Sequence, residues 1–417
     1  MRFRHRISVF ASVLTVAGVL ATAQSGAPAA ALPSPVTGAV RPIDSPAPDG
    51  SAQPNLASDR RGRVWLTWLE PRQTGGGHRF RAAQLTGNRW TEPVTIAEDT
   101  NFLANWADFP SLFVASDGTL AAHWLERTTG REAYFVRIRT SNDSGRTWSP
   151  TITPHKDTSA TEHGFVSFFD APGGGVGLVW LDGRDMTAGH AAAGHTAGMT
   201  LRSTVIRKGV PGDETTIDAR VCECCQTSAT RASGGVLVAY RDRSDKEIRD
   251  TSVVRFADGQ WSAPITVGTD NWEINGCPVN GPVITATGNA AAVAWFTGAG
   301  NTPKTQVAFS QDAGRTFGPP IRIDSATTLG RLGMFMPSID RVLVTSLERT
   351  PAGARVVLRD VRRDGRMSDP VEITTATPDR TGGFLRLASA GSRLVAAWTD
   401  VRPNQPTRVK VATLEVR

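Results

Sequence analysis

Val64-Trp65-Leu66-Thr67-Trp68-Leu69-Glu70 is an apolar stretch with an aromatic near its end and an acid two residues later. A similar reading returns at Ala121 to Glu126, Gly177 to Asp182, Val236 to Asp242, Ala292 to Phe296, Val342 to Glu348 and Leu394 to Asp400, without the acid in the copy at Ala292 and with Ser346 in place of the aromatic in the copy at Val342. The aligned positions are Trp68, Trp124, Trp180, Tyr240, Trp295, Ser346 and Trp398, with separations of 56, 56, 60, 55, 51 and 52 residues. A period of this length marks a repeat architecture. Companion segments surround each copy. A strand precedes it, as in Pro54-Asn55-Leu56, and another follows, as in Arg79 to Leu85. A further strand opens on an aromatic near a proline: Trp90 with Pro93, Trp148 with Pro150, Trp261 with Pro264, Phe317 with Pro319. Short strands with Gly, Asp, Asn and Pro between them predict an all-β chain. Four strands per unit of ~50–60 residues is the size of a propeller blade.

The last unit is one strand short. After Arg408 to Val416 the chain ends, and Val36 to Ile43 is the segment able to supply the missing strand from the N-terminal side. Such closure removes the two open sheet edges of a linear array. The expectation is a β-propeller of seven four-stranded blades, with six as the alternative.

The first residues read as an export signal. Arg2, Arg4, His5 and Arg6 precede an apolar run from Ile7 to Ala23, and Ala21-Thr22-Ala23 offers small residues for cleavage. An uncleaved anchor is the other reading, although roughly 17 apolar residues is short for a span. Residues 24–52 form an Ala/Pro/Ser-rich leader that includes the 36–43 closing strand, and 53–417 form a single propeller domain. The expected location is the cell exterior or periplasm, with no stable membrane span after processing. The net charge of +7 is spread as Arg beside Asp and Glu. That balance favours anionic ligands. It does not favour nucleic acid, since no basic helix or nucleic-acid motif is present.

Two segments are more specific. Ser141-Asn142-Asp143-Ser144-Gly145-Arg146-Thr147-Trp148 fits S-x-D-x-G-x-T-W, and Ser310-Gln311-Asp312-Ala313-Gly314-Arg315-Thr316-Phe317 repeats it with Phe last. The pattern suits a tight turn, in which Asp accepts backbone hydrogen bonds and Gly takes positive φ. It resembles the Asp box, or BNR repeat, of the sialidase superfamily. A further set comprises Val221-Cys222-Glu223-Cys224-Cys225-Gln226-Thr227, Tyr240-Arg241-Asp242-Arg243-Ser244, and Asn271-Trp272-Glu273-Ile274-Asn275-Gly276-Cys277-Pro278. It resembles bacterial exported proteins labelled sialidase-like or exo-α-sialidase that carry a CxCC segment.

In an up-and-down blade, the loop between second and third strands shares a face with the crossover into the next blade. The Asp-box turn lies on the opposite face. This topology gathers Cys222 to Cys225, Cys277, Arg241 to Arg243, Asp182, Arg184 and Asp185, and a loop with His190 and His195, at one rim. Acid–Arg pairs recur after several second strands (Glu70 and Arg72, Glu126 and Arg127, Asp182 and Arg184, Glu348 and Arg349, Asp400 and Arg402) and read first as structural ion pairs.

The sialidase resemblance implies a glycoside hydrolase. Its mechanism holds a carboxylate with an Arg cluster, attacks with a Tyr assisted by Glu, and uses an Asp as acid/base. On this chain that implies Arg184, Arg202, Arg241, Arg243 and Arg249 as the anion clamp, because the Arg fork donates two hydrogen bonds to a carboxylate. It implies Tyr240 with Glu247 as nucleophile pair and Asp242 as acid. The first blade lacks the Phe/Tyr-Arg-Ile/Leu-Pro segment of sialidases, and Tyr240 aligns with packing Trp residues. The alternative is a non-catalytic propeller that binds an anionic glycan, another anionic small molecule or a partner. No cofactor is required by either reading. The four cysteines suit two chemistries that the spacing leaves open. One is disulfides, with Cys277 stapling adjacent blades. The other is a zinc or copper(I) site of converging thiolates, with His163, His190 or His195 contributing.

Overall fold

The computed structural model describes residues 32–128, 133–186, 198–324 and 327–417. The export signal at 1–23, the leader residues 24–31, His190 and His195 lie outside the described residues.

Each second strand predicted from the repeat is present and is apolar on both faces, since it sits in the middle of a blade and packs against a neighbouring blade on each side. These strands are Val64–Pro71, Leu120–Arg127, Val176–Asp182, Gly235–Arg241, Ala290–Thr297, Arg341–Thr350 and Arg393–Asp400. Each pairs antiparallel with a first strand before it and a third strand after it. The result is a seven-bladed β-propeller. Blade 1 opens at Ala52–Ser58, blade 2 at Ser111–Val114, blade 3 at His163–Asp170 and blade 4 at Ser228–Ala232. Blade 5 opens at Val283–Thr287, blade 6 at Thr328–Ser338 and blade 7 at Arg386–Ala390.

The ring closes as expected. Arg41–Ile43 pairs antiparallel with Arg408–Glu415, the third strand of blade 7, in the register Arg41 opposite Thr413. Val36 bridges Val416 and is buried among Leu343, Leu394 and Leu414. Seven apolar cores alternate with the seven sheets. One lies between blades 1 and 2 and the series continues round to one between blades 7 and 1, where Leu56 and Leu66 meet Val395 and Val409. Trp68, Trp180 and Trp295 are wholly buried in these cores. Truncating such a side chain to Ala costs about 3–5 kcal/mol.

A buried indole still needs an acceptor for its N–H, and this explains the acid that follows the aromatic. Side chains two apart on a strand share a face. Trp68 Nε1 donates to Glu70 at 2.7 Å and Trp180 Nε1 to Asp182 at 2.8 Å. Trp295 uses Asp270 of the preceding crossover instead, at 2.7 Å. The acids are then neutralised by arginines, though only in part by those next to them in sequence. Asp182 pairs with Arg184 and Asp400 with Arg402. Glu70 pairs with Arg79 and Arg81, Glu126 with Arg137, and Glu348 with Arg355 and Arg359, all on third strands.

The two S-x-D-x-G-x-T turns adopt one geometry. Asp143 accepts from Thr147 N at 2.9 Å and Thr147 Oγ1 at 2.6 Å, and Asp312 does the same with Thr316. Gly145 and Gly314 have φ of 81° and 76°. A side chain at 314 would also meet Leu237 within 2.7 Å. Trp148 and Phe317 then pack between neighbouring sheets. Among the described residues, no helix is long and apolar enough to cross a membrane.

Candidate functional site

The crossovers and second-to-third loops gather on one face, and that face carries three polar centres. The first, in blade 4, collects most of the residues singled out in the sequence. Glu223 comes from the crossover into blade 4, and Arg243, Glu247 and Arg249 from the loop after its second strand. Glu223 is ion-paired to both Arg243 and Arg249, and Glu247 to Arg220, Arg243 and Arg249. Arg220 also pairs with Asp245. This is a closed lattice of alternating charge. The Arg243 and Arg249 guanidinium groups beside Glu247 hold its carboxyl below the usual range, so it is ionised and already paired.

Arg241 is 2% exposed. Its fork donates to the carbonyls of Asn280, Arg249 and Phe296 at 2.6–3.2 Å, and its guanidinium lies 4.9 Å from the Trp272 ring centre. It ties blade 4 to blade 5. The Tyr240 hydroxyl donates to Asp218 at 2.6 Å in a site 1% exposed. Burial and the Asp218 charge push that phenol well above its ordinary value. Asp242 accepts from Arg243 N at 2.7 Å and Ser252 Oγ at 3.0 Å, and burial with the Asp218 charge raises its carboxyl. Tyr240 and Glu247 therefore do not meet as a pair: one hydroxyl serves Asp218, the other carboxylate serves three arginines.

Arg184 and Arg202 belong to a second centre in blade 3. Arg184 makes a bidentate contact with Asp182 at 2.7 Å and pairs with Glu214 at 2.9 Å. Arg202 lies 3.4 Å from Asp185 and 3.7 Å from Glu214. His163 Nε2 stands 3.0 Å from Asp157 and 3.7 Å from Asp182, with the His155 ring stacked 4.0 Å away. Burial and the neighbouring His163 push His155 down to about 4. The Asp157, His163 and Asp182 atoms lie within 4.8 Å of one another, but a cation there would face Arg184, which already holds Asp182.

The cysteines divide three to one. The thiols of Cys222, Cys224 and Cys225 lie within 4.8 Å of one another, with Cys222 Sγ 3.4 Å from Cys225 Sγ and 3.9 Å from Cys224 Sγ. Cys277 is exposed and is not one of the set. All four are free, so the expected staple between blades by Cys277 is not formed in this structure.

The third centre was not singled out in the sequence. It sits at the axial mouth, where the crossovers into blades 2 and 7 meet. Trp106 and Phe109 come from the crossover into blade 2, and Phe384 from the crossover into blade 7. Phe384 stacks on Trp106 at 6.0 Å and tilts against Phe109 at 5.7 Å. Arg331 lies 5.2 Å and Arg380 5.9 Å from the Trp106 ring, and Arg386 lies 4.8 Å from the Phe109 ring. Bulges in the first strands aim side chains here. Phe165 and Arg331 have φ of 54° at register shifts in blades 3 and 6. Below the mouth is an axial cavity of about 310 Å3 lined by Asp108, Phe109, Phe165, Gln226, Phe384 and Arg386, among others.

Two charges in this cavity lack normal partners. Arg331 donates to the carbonyls of Gly383 and Pro378, but Arg386 has no hydrogen bond or acidic partner among the described residues, only the Phe109 ring. Burial pulls its guanidinium down to about 10. Asp108 accepts from Phe165 N at 2.8 Å through one oxygen, while the other is buried without a well-formed hydrogen bond. Burial, with the Glu162 charge, raises its carboxyl to about 7. Gly164 is required beside it, because a Cβ there would stand 1.9 Å from that oxygen. The Tyr134 phenol lies behind, 3.5 Å from Glu162 and close enough to Asp108 to be influenced by it. The signal that could have found this centre is compositional: Trp106, Phe109 and Phe384 are aromatics outside the repeat, and Arg386 is a charge in a first strand.

No family model matches the chain, and no curated protein matches it in sequence. Among solved structures, a protein of unknown function from Dyadobacter fermentans is similar over 91% of this chain and 97% of its own, at 14% identity and a TM-score of 0.51. The α-L-arabinanase of Penicillium chrysogenum is similar over 92% and 99%, at 13% identity and 0.48. The NanB sialidase of Streptococcus pneumoniae is similar over 90% and 94%, at 10% identity and 0.46. At these identities the likeness is one of fold.

Proposed function

We propose that this propeller binds a carboxylate-bearing glycan at its axial mouth. The observation that carries the reading is Arg386, a half-buried cation lining the axial cavity with no acidic partner among the described residues. A guanidinium in that position costs stability unless a ligand completes it, and its fork matches a carboxylate. Phe109, Phe165 and Phe384 line the cavity beside polar groups, the mixture that small-molecule sites present. The blade 3 and blade 4 arginines are already engaged, by acids or, for Arg241, by three backbone carbonyls, which favours the axial mouth over the rim.

A catalytic reading rests on Asp108. A carboxyl raised to about 7 keeps a proton near neutral pH and is suited to protonating a glycosidic oxygen. The experiment is a calorimetric titration with N-acetylneuraminic acid, glucuronic acid and their neutral counterparts, followed by a fluorogenic sialoside assay. Binding of an acidic sugar, weakened at least tenfold in Arg386→Gln, supports the axial site. Equal behaviour of acidic and neutral sugars, or an unaffected Arg386→Gln, overturns it. Sialoside turnover lost in Asp108→Asn with binding retained supports catalysis over binding alone.

A further inference from the structure

We infer that Cys222, Cys224 and Cys225 form a three-thiolate site for a soft monovalent metal ion, copper(I), independent of the axial mouth. The donor set argues for this ion. Three sulfurs converge within 4.8 Å, and soft thiolates select copper(I) among the first-row metals. Structural zinc takes four ligands in a tetrahedron, and among the described residues no fourth ligand joins the three sulfurs. Cys277 is exposed and outside the set. Glu223, which sits between Cys222 and Cys224 in sequence, is turned to Arg243 and Arg249.

The surroundings suit an anionic thiolate cluster. Arg249 Nη1 lies 3.3 Å from Cys222 Sγ, so a cation faces the sulfur that is deepest in the set. Cys222 and Cys225 are buried at 1% and 2% exposure, whereas Cys224 is half-buried. Cys224 therefore gives an ion a way in, and the two buried thiols shield it from water once there. Val221 N-terminal to the set belongs to the apolar core between blades 3 and 4, and Cys224 packs against that core. The short Val221 to Thr227 crossover is thus held on one side by packing and on the other by the Arg–Glu lattice. Each thiol that ligates releases its proton to solvent, and no electron is transferred.

The test uses the whole chain, reduced and handled without oxygen, with copper(I) itself as the probe. Competition with a chromophoric copper(I) chelator reads affinity and stoichiometry, and X-ray absorption reads the number of sulfur neighbours. One copper per chain with three sulfurs is expected. Cys224→Ser, at the half-buried position where folding is least at risk, should weaken binding at least tenfold, and Cys277→Ser should leave it unchanged. Circular dichroism checks that each variant is folded. The inference fails if Cys224→Ser holds copper as tightly as the parent, or if Cys277→Ser releases it. It fails equally if zinc binds in preference with four ligands. A fully reduced chain, with all four thiols titrated as free, that takes up no copper also overturns it.

Discussion

The guanidinium of Arg386, in the first strand of blade 7, lies 4.8 Å from the ring centre of Phe109, in the crossover into blade 2. No carboxylate answers it among the described residues. An aromatic face attracts a cation, by about 0.5–2 kcal/mol, but less than an ion-paired hydrogen bond does. The pair holds Arg386 in place and leaves its donors for something else.

Arg386→Gln should therefore raise stability slightly while weakening the binding of carboxylate ligands. Removing a half-buried charge without an acidic partner is expected to gain on the order of 1 kcal/mol. A thermal melt at pH 7 without ligand checks the sign. A drop in the melting midpoint would mean that Arg386 is a structural group.

Asp108 gives a pH dependence with a defined direction. Its carboxyl is raised to about 7 in the folded chain by burial, against about 3.9 in an unfolded one. The folded state thus holds more protons than the unfolded state between these values. Stability from this group is complete below about pH 4 and is lost as pH rises toward 7. Asp108→Asn keeps the acceptor for Phe165 N and removes the titration. It should be more stable than the parent at pH 8, by at most about 4 kcal/mol, with the difference vanishing near pH 4. Chemical denaturation at the two pH values measures it.

Tyr240→Phe separates packing from chemistry. The hydroxyl donates to Asp218 at 2.6 Å in a buried site, so its loss should cost about 1–3 kcal/mol by leaving an acceptor unpaired. Binding and any glycoside turnover should be unchanged. A loss of turnover without a loss of stability would return Tyr240 to the role of nucleophile.

Closure of the ring can be tested by removing residues 32–43. Their strand covers Arg408–Glu415, and Val36 fills the core between blades 6 and 7. The shortened chain should melt at least about 10 °C lower and self-associate through the bared edge. Calorimetry and light scattering read both effects. A monomer of unchanged stability would mean that the ring holds without its N-terminal strand.

The architecture was legible because its determinants are local and repeated. Trp68, Trp180 and Trp295 mark second strands by their spacing alone, and the missing strand of blade 7 points to Val36 to Ile43. Asp143 and Asp312 announce their turns because every partner lies within four residues. The rim clusters were legible as a place but not as a role. Topology correctly gathered Cys222, Arg243 and Arg249, yet nothing in the sequence tells that Glu223 and Glu247 already neutralise both arginines.

Sequence by itself pointed to seven blades over six, to their closure and to the two hairpin turns, since each follows from periodicity or from contacts between near neighbours. Tertiary structure alone decided which polar side chains have partners. Arg241 meets Asn280 and Phe296 only when blades 4 and 5 are side by side, and Phe109 meets Arg386 only when the ring brings residues 277 positions apart to its axis. A charge is free or spent according to neighbours that the chain order does not name, because electrostatic partnership is set by distance in space.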